Sequence, residues 1–149
     1  RANKNPIIVK GIDDILIRFG KCCTPLKGDP IVGFITRGRG ITVHTTDCPK
    51  IFEMDSDRKI DVEWDKSEKS IRKVKIRVVT QDFPGVLAKM SKTITNAGGN
   101  IATASIRTTK DRKAVSIFEI SFASVEQLNM LIAELEKINE VIAVERLKL

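Results

Sequence analysis

Tyrosine is absent from these 149 residues, tryptophan and histidine occur once each, and there are three cysteines. Each shortage narrows the chemistry. A single imidazole leaves little material for acid–base catalysis, and the chain has neither an adjacent His-Asp metal pair nor a phosphate-binding glycine loop with its lysine. Three cysteines are an odd number for a disulfide framework, and no signal peptide is seen, so a reducing cytoplasm is expected. No apolar run approaches the roughly 20 residues that cross a bilayer, so no membrane partner is expected.

What is present is 42% hydrophobic and 30% charged, enough for a globular chain with two small cores. Residues 1–10 read as a linker and Arg1 as the start of a fragment. The net charge is +7, with 13 basic and 11 acidic residues up to residue 70 and 13 and 8 after it. Such a surplus favours a polyanion such as RNA as a partner.

All three cysteines and the histidine fall between Lys21 and Cys48. Cys22, Cys23, His44 and Cys48 supply the four N and S donors of a tetrahedral zinc site. Adjacent residues of a strand point to opposite faces, so Cys22 and Cys23 can share a metal only if the backbone turns, as Thr24-Pro25 suggests. Two other readings stay open: cysteines that fill a small core, and a Cys-His nucleophile. Cys48 is expected in the first turn of a helix opened by Thr46 or Asp47, whose N-terminus lowers a thiol pKa.

In chain order, the pattern predicts a turn at Asp13-Asp14, a strand over 15–19, a hairpin of strands 31–36 and 41–44 turning on 37–40, a helix over 47–54 with Ile51 and Phe52 inward, and a strand over 60–64. Arg37 and Arg39 at the glycine-flanked hairpin tip, expected beside the cysteines, together with Lys21, are candidate phosphate contacts. Residues 11–64 read as one small α+β domain. Residues 65–70 lack any apolar residue and read as a second linker.

From 71 to 149 the order is β-α-β-β-α-β, the ferredoxin-like arrangement, with a strand around 74–78, helices over 86–97 and 124–139, and strands over 100–107, 114–123 and 141–149. Lys73, Lys75 and Arg77 form a basic face that also fits RNA. The topology matches an RNA-recognition fold, but without tyrosine and with Phe118 and Phe122 on the buried parity that reading is disfavoured.

Two resemblances follow from these motifs. TQDFPGVLAKMSKTITNAGGNI resembles the ACT-domain signature, and VKGIDDILIRFGKCCTPLKGDPIVGFITRGRGITVHTTDCP resembles the conserved-cysteine, or RIS zinc-finger, domain of the long Rel/SpoT stringent-response enzymes. The resemblance implies a regulatory region without either active site of its GTP pyrophosphokinase parent, which is synthetase-only or also a ppGpp hydrolase. It implies contact with the ribosome and deacylated tRNA, a relay to catalytic domains of the same chain, and self-association through the ACT domain. In amino-acid-binding ACT domains the first turn and second strand meet the ligand, which here points to Asp82, Gly85, Val86, Leu87 and Asn100.

Overall fold

The structure, a computed structural model, describes residues 6–11, 14–38 and 40–148. Asp13 of the predicted turn, Arg39 of the hairpin tip and residues 1–5 of the predicted linker lie outside the described residues. The chain divides into two compact units, the first reaching Ser70 and the second spanning Ile71–Leu147.

The first unit is built from short strands. β1 (Ile7–Val9) pairs antiparallel with β6 (Val62–Trp64). The other sheet runs in the order β2 (Ile17–Phe19), β4 (Gly40–Thr45), β3 (Ile31–Thr36), β5 (Lys59–Ile60), with β2 and β4 parallel. Ile7, Val9, Ile41 and Val43 form the buried centre, with Ile15, Ile17, Phe19, Ile31, Ile60, Val62 and Trp64 packed against it. The Phe19 and Trp64 rings stack at 5.7 Å, and the indole Nε1 donates to the Asp29 carbonyl at 2.9 Å.

Two expectations are corrected here. The end of the predicted first linker is β1, because Ile7 and Val9 alternate inward and contribute to the core. The predicted helix over 47–54 is a 3-10 turn, Pro49–Glu53, with Cys48 as its N-cap residue and no buried side chain. Phe52 therefore points outward, 84% exposed, since a single tight turn has no second turn to set an inward stripe. The expected 65–70 linker has no helix or strand and ends where the two units divide, and it is hydrogen-bonded to the first unit. Asp65 N donates to Pro6 O at 2.7 Å, and Lys27 Nζ donates to the carbonyls of Glu68 and Lys66 at 2.7 and 3.3 Å.

The second unit has the predicted ferredoxin-like order: β7 (Arg72–Gln81), α1 (Val86–Asn96), β8 (Asn100–Thr108), β9 (Lys113–Phe122), α2 (Val125–Glu136), β10 (Val141–Arg146). The sheet order is β10-β7-β9-β8, all antiparallel. Val74, Ile76 and Val78 face the same side as Ser116, Phe118, Ile120 and Phe122 and are buried with Val86, Met90, Ile94, Leu128, Leu131 and Leu135 of the helices. Alternation of period two fixes the sheet's inner face and the i, i+4 spacing fixes each helix stripe. Gly98, at φ +81°, stops α1, and Ser124 Oγ caps α2 by accepting from Gln127 N. Phe118 and Phe122 lie on the buried side, as their parity requires.

Candidate metal centre

The parallel pairing of β2 with β4 brings the end of one strand beside His44 of the other. Phe19 lies opposite Val43, and Gly20 N then donates to Val43 O at 2.8 Å. Past Gly20 the chain makes one helical turn, closed by Thr24 N donating to Gly20 O at 2.9 Å. In such a turn adjacent side chains diverge by about 100° rather than the 180° of a strand, so Cys22 and Cys23 face the same point. Thr24 leaves the turn at φ +42°, a strained value for a β-branched residue. Its only trace in the sequence is the Thr-Pro step after the cysteines.

Cys48 follows this same C-terminal end of β4, where its N–H donates to Thr45 O at 3.1 Å. The Cys22 sulfur stands 3.9 Å from that of Cys23, 3.4 Å from that of Cys48 and 3.3 Å from His44 Nδ1, and Cys23 Sγ is 3.6 Å from the same nitrogen. All four ligand atoms lie within 4.8 Å of one another, and none of the cysteines is in a disulfide. The set fits zinc in size. Bonds of about 2.3 Å to sulfur and about 2.0–2.1 Å to nitrogen make tetrahedral edges of about 3.8 Å between sulfurs and about 3.6 Å from sulfur to nitrogen. The Thr45 N–H donates to Cys23 Sγ at 3.4 Å, the kind of bond that supports a thiolate ligand.

Electrostatics separate the three readings of the cysteines. Burial, then the neighbouring thiols of Cys48 and Cys23, push the Cys22 thiol up to about 12. Burial likewise raises Cys23 against the opposing pull of Thr45, and it lowers His44. A thiol held up beside an imidazole held down is the reverse of an activated Cys-His pair, so the nucleophile reading loses its basis. A core of plain cysteines does not need an imidazole nitrogen among them, and His44 Nε2 is buried with no hydrogen-bond partner among the described residues. A divalent cation at the centre inverts this pKa pattern, because ligation releases the thiol protons and takes neutral imidazole.

The remaining predicted residues are dispersed. Lys21 is exposed in the cysteine turn, and Arg37 is exposed at the hairpin tip. They do not converge, and the expectation that the tip lies beside the cysteines is corrected. Thr36 and Gly40 pair at the tip while Val32 and His44 pair deeper in, which puts His44 about 13 Å along the strand from Gly40. On the second unit Lys73 and Lys75 are exposed, but Arg77 is bonded through Nε to Glu145 at 2.7 Å, and Lys75 lies opposite Glu119. That face carries both signs of charge. Asp82 and Gly85 lie in the β7–α1 turn and Val86 and Leu87 open α1, where Val86 is buried and Leu87 exposed. Asn100 does not join them within one copy. It pairs with Ser121 at the far end of the sheet, while Gln81 pairs with Lys113, a separation of roughly 27 Å at the usual rise per residue.

Residues 7–65 match the RelA/SpoT RIS domain family, and residues 68–146 match the ACT domain family. A GTP pyrophosphokinase of Myxococcus xanthus is 45% identical over 147 residues, covering 99% of this chain and 19% of the relative. The bifunctional (p)ppGpp synthase/hydrolase RelA of Mycobacterium tuberculosis is 34% identical over 142 residues, 94% of this chain and 19% of its own. The solved ACT domain from the GTP pyrophosphokinase of Chlorobium tepidum is 27% identical, with a TM-score of 0.48, and covers 52% of this chain and 100% of that one. The chain thus spans about a fifth of the length of these curated relatives. It belongs to the RelA/SpoT family, as a RIS domain followed by an ACT domain.

Proposed function

We propose that this chain is the regulatory, non-catalytic part of a GTP pyrophosphokinase, which senses amino-acid starvation through the ribosome and deacylated tRNA and relays it to catalytic domains elsewhere in the same protein. The observation that carries this reading is that the RIS and ACT pair aligns along 99% of the chain with an enzyme of that name while amounting to 19% of its length. The exposed cations Lys21, Arg37, Lys73 and Lys75 support an RNA partner, and such a partner sits in the cytoplasm. Titrating labelled deacylated tRNA and ribosomes against the chain at several salt concentrations tests it. Binding whose logarithm falls linearly with the logarithm of salt is expected, and no binding at low salt contradicts it. The chain on its own is expected to turn over neither GTP with ATP nor ppGpp.

Zinc held by Cys22, Cys23, His44 and Cys48 completes this reading. It supplies a four-way crosslink between the turn after β2, strand β4 and the segment behind it. Elemental analysis of the purified chain is expected to give one zinc per chain.

One observation favours a second role for the ACT domain. β8 is a nine-residue edge strand with no partner on its outer side among the described residues, and only Arg107 on it is charged. Such an edge accepts another strand. Antiparallel pairing of β8 with a second copy moves Asn100 of that copy toward the Thr108 end, the end that holds the Asp82–Leu87 turn. Amino-acid binding by these residues then requires a dimer. Sedimentation over a range of concentrations, with and without added amino acids, tests it, and a monomer throughout contradicts it.

A further inference from the structure

We propose that Gly20 is a positioning residue of the metal centre, and that the space left by its missing side chain is where the His44 imidazole stands. The proposal rests on the zinc reading above. A β-carbon at position 20 would lie 2.6 Å from His44 Nδ1 and 2.7 Å from Cε1, closer than real side chains approach. Nδ1 is the atom that faces Cys22 Sγ at 3.3 Å and Cys23 Sγ at 3.6 Å. An alanine methyl would therefore press on the donor nitrogen itself.

Neither group can easily step aside. Gly20 is held on one side by its N–H to Val43 O at 2.8 Å and on the other by Thr24 N to its carbonyl at 2.9 Å, so it bridges the histidine strand and the cysteine turn. His44 is 3% exposed, and the Phe34 ring lies edge-on to it at 6.1 Å. The glycine is not required for its backbone, because Gly20 is not among the glycines at positive φ. What the position demands is space, so alanine acts through His44 and leaves a centre of three sulfurs without its nitrogen.

Cobalt(II) titration of the full chain and of Gly20→Ala, His44→Ala and the double variant tests this, with zinc competition for affinity and the ligand-field and thiolate-to-cobalt bands as the spectroscopic readout. Gly20→Ala is expected to weaken binding by about tenfold or more and to shift the bands to those of His44→Ala. Adding Gly20→Ala to His44→Ala should change affinity by less than about twofold, since the clashing ring is already gone. Parent-like binding by Gly20→Ala, or a full second loss in the double variant, overturns the proposal. If Gly20→Ala does not fold, the double variant is judged against His44→Ala: a double variant as well folded as His44→Ala supports the clash with the ring, and one less well folded than His44→Ala overturns it. A parent chain that takes up cobalt without thiolate bands, or not at all, overturns the metal reading itself, an outcome recognisable because it does not depend on position 20.

Discussion

The two domains reach the folded state by different means. The ACT domain closes a four-stranded sheet under two helices, and its largest buried side chains, among them Phe118, Phe122, Met90 and Leu131, come from both layers. The RIS domain has strands of two to six residues and no α-helix among its described residues, and beside its small aliphatic centre it buries two cysteines and a histidine. A domain of this size with so little regular structure is where a metal crosslink contributes most, because metal binding and folding are then one equilibrium. With the proposed zinc, the ACT domain rests on apolar packing alone and the RIS domain on a small apolar centre plus metal ligation, so each should fail under a treatment that spares its neighbour.

The largest effect is expected from metal removal. With a strong chelator, the RIS domain should lose its cooperative unfolding transition while the ACT transition stays in place, as followed by calorimetry or amide exchange. Cys23→Ala or Cys48→Ala should act in the same way, since each is buried and removes a donor. A single transition lost as a whole would break the comparison. Next comes Phe118→Ala, which empties a fully buried site between Ile76 and Ala104 on neighbouring strands. It should cost the ACT domain about 3–5 kcal/mol and leave zinc content unchanged.

Acid should separate the domains in the same direction as chelation. Burial lowers the pKa of His44 below its ordinary 6.5, so between those two values the unfolded chain takes up a proton that the folded chain refuses. Stability then rises with pH across that window and falls as pH drops from 6.5 toward the folded value. Loss of zinc to protons runs the same way. The ACT domain has no histidine, so its melting point should hold over the window where that of the RIS domain falls. The smallest effect on stability is expected from Arg37→Ala. An exposed tip residue should shift stability by less than about 0.5 kcal/mol, while losing a phosphate contact should flatten the salt dependence of tRNA or ribosome binding by about one unit of slope. An unchanged slope would make the tip a solubilising turn.

How far each domain could be read in advance follows from the same contrast. The ACT elements are long enough for periodicity to speak: Val74, Ile76 and Val78 alternate over a whole strand, and Gly98 ends α1 where the pattern stops. In the RIS domain three-residue elements leave no period to read. β1 hides in a turn-rich stretch and shows its role only through Val62 and Trp64, more than fifty residues on. The helix expected after Asp47 rested on Pro49 and two apolar residues, too few to distinguish one 3-10 turn from a longer helix. The four donors were legible by type, but their convergence depends on the turn that Thr24 closes, marked only by the Thr-Pro step, and on the bare backbone at Gly20, which has no residue pattern of its own. The hairpin tip looked adjacent to the cysteines because it is near them in sequence, and strand β4 carries it away.

The central claim, that one metal bound by three sulfurs and one nitrogen holds the RIS domain together, is tested most directly by zinc K-edge X-ray absorption of the purified chain. The account predicts one zinc per chain with three sulfurs at about 2.3 Å and one nitrogen at about 2.0–2.1 Å, the nitrogen lost in His44→Ala. A chain that folds with no zinc, or a shell of light atoms without sulfur, would contradict it.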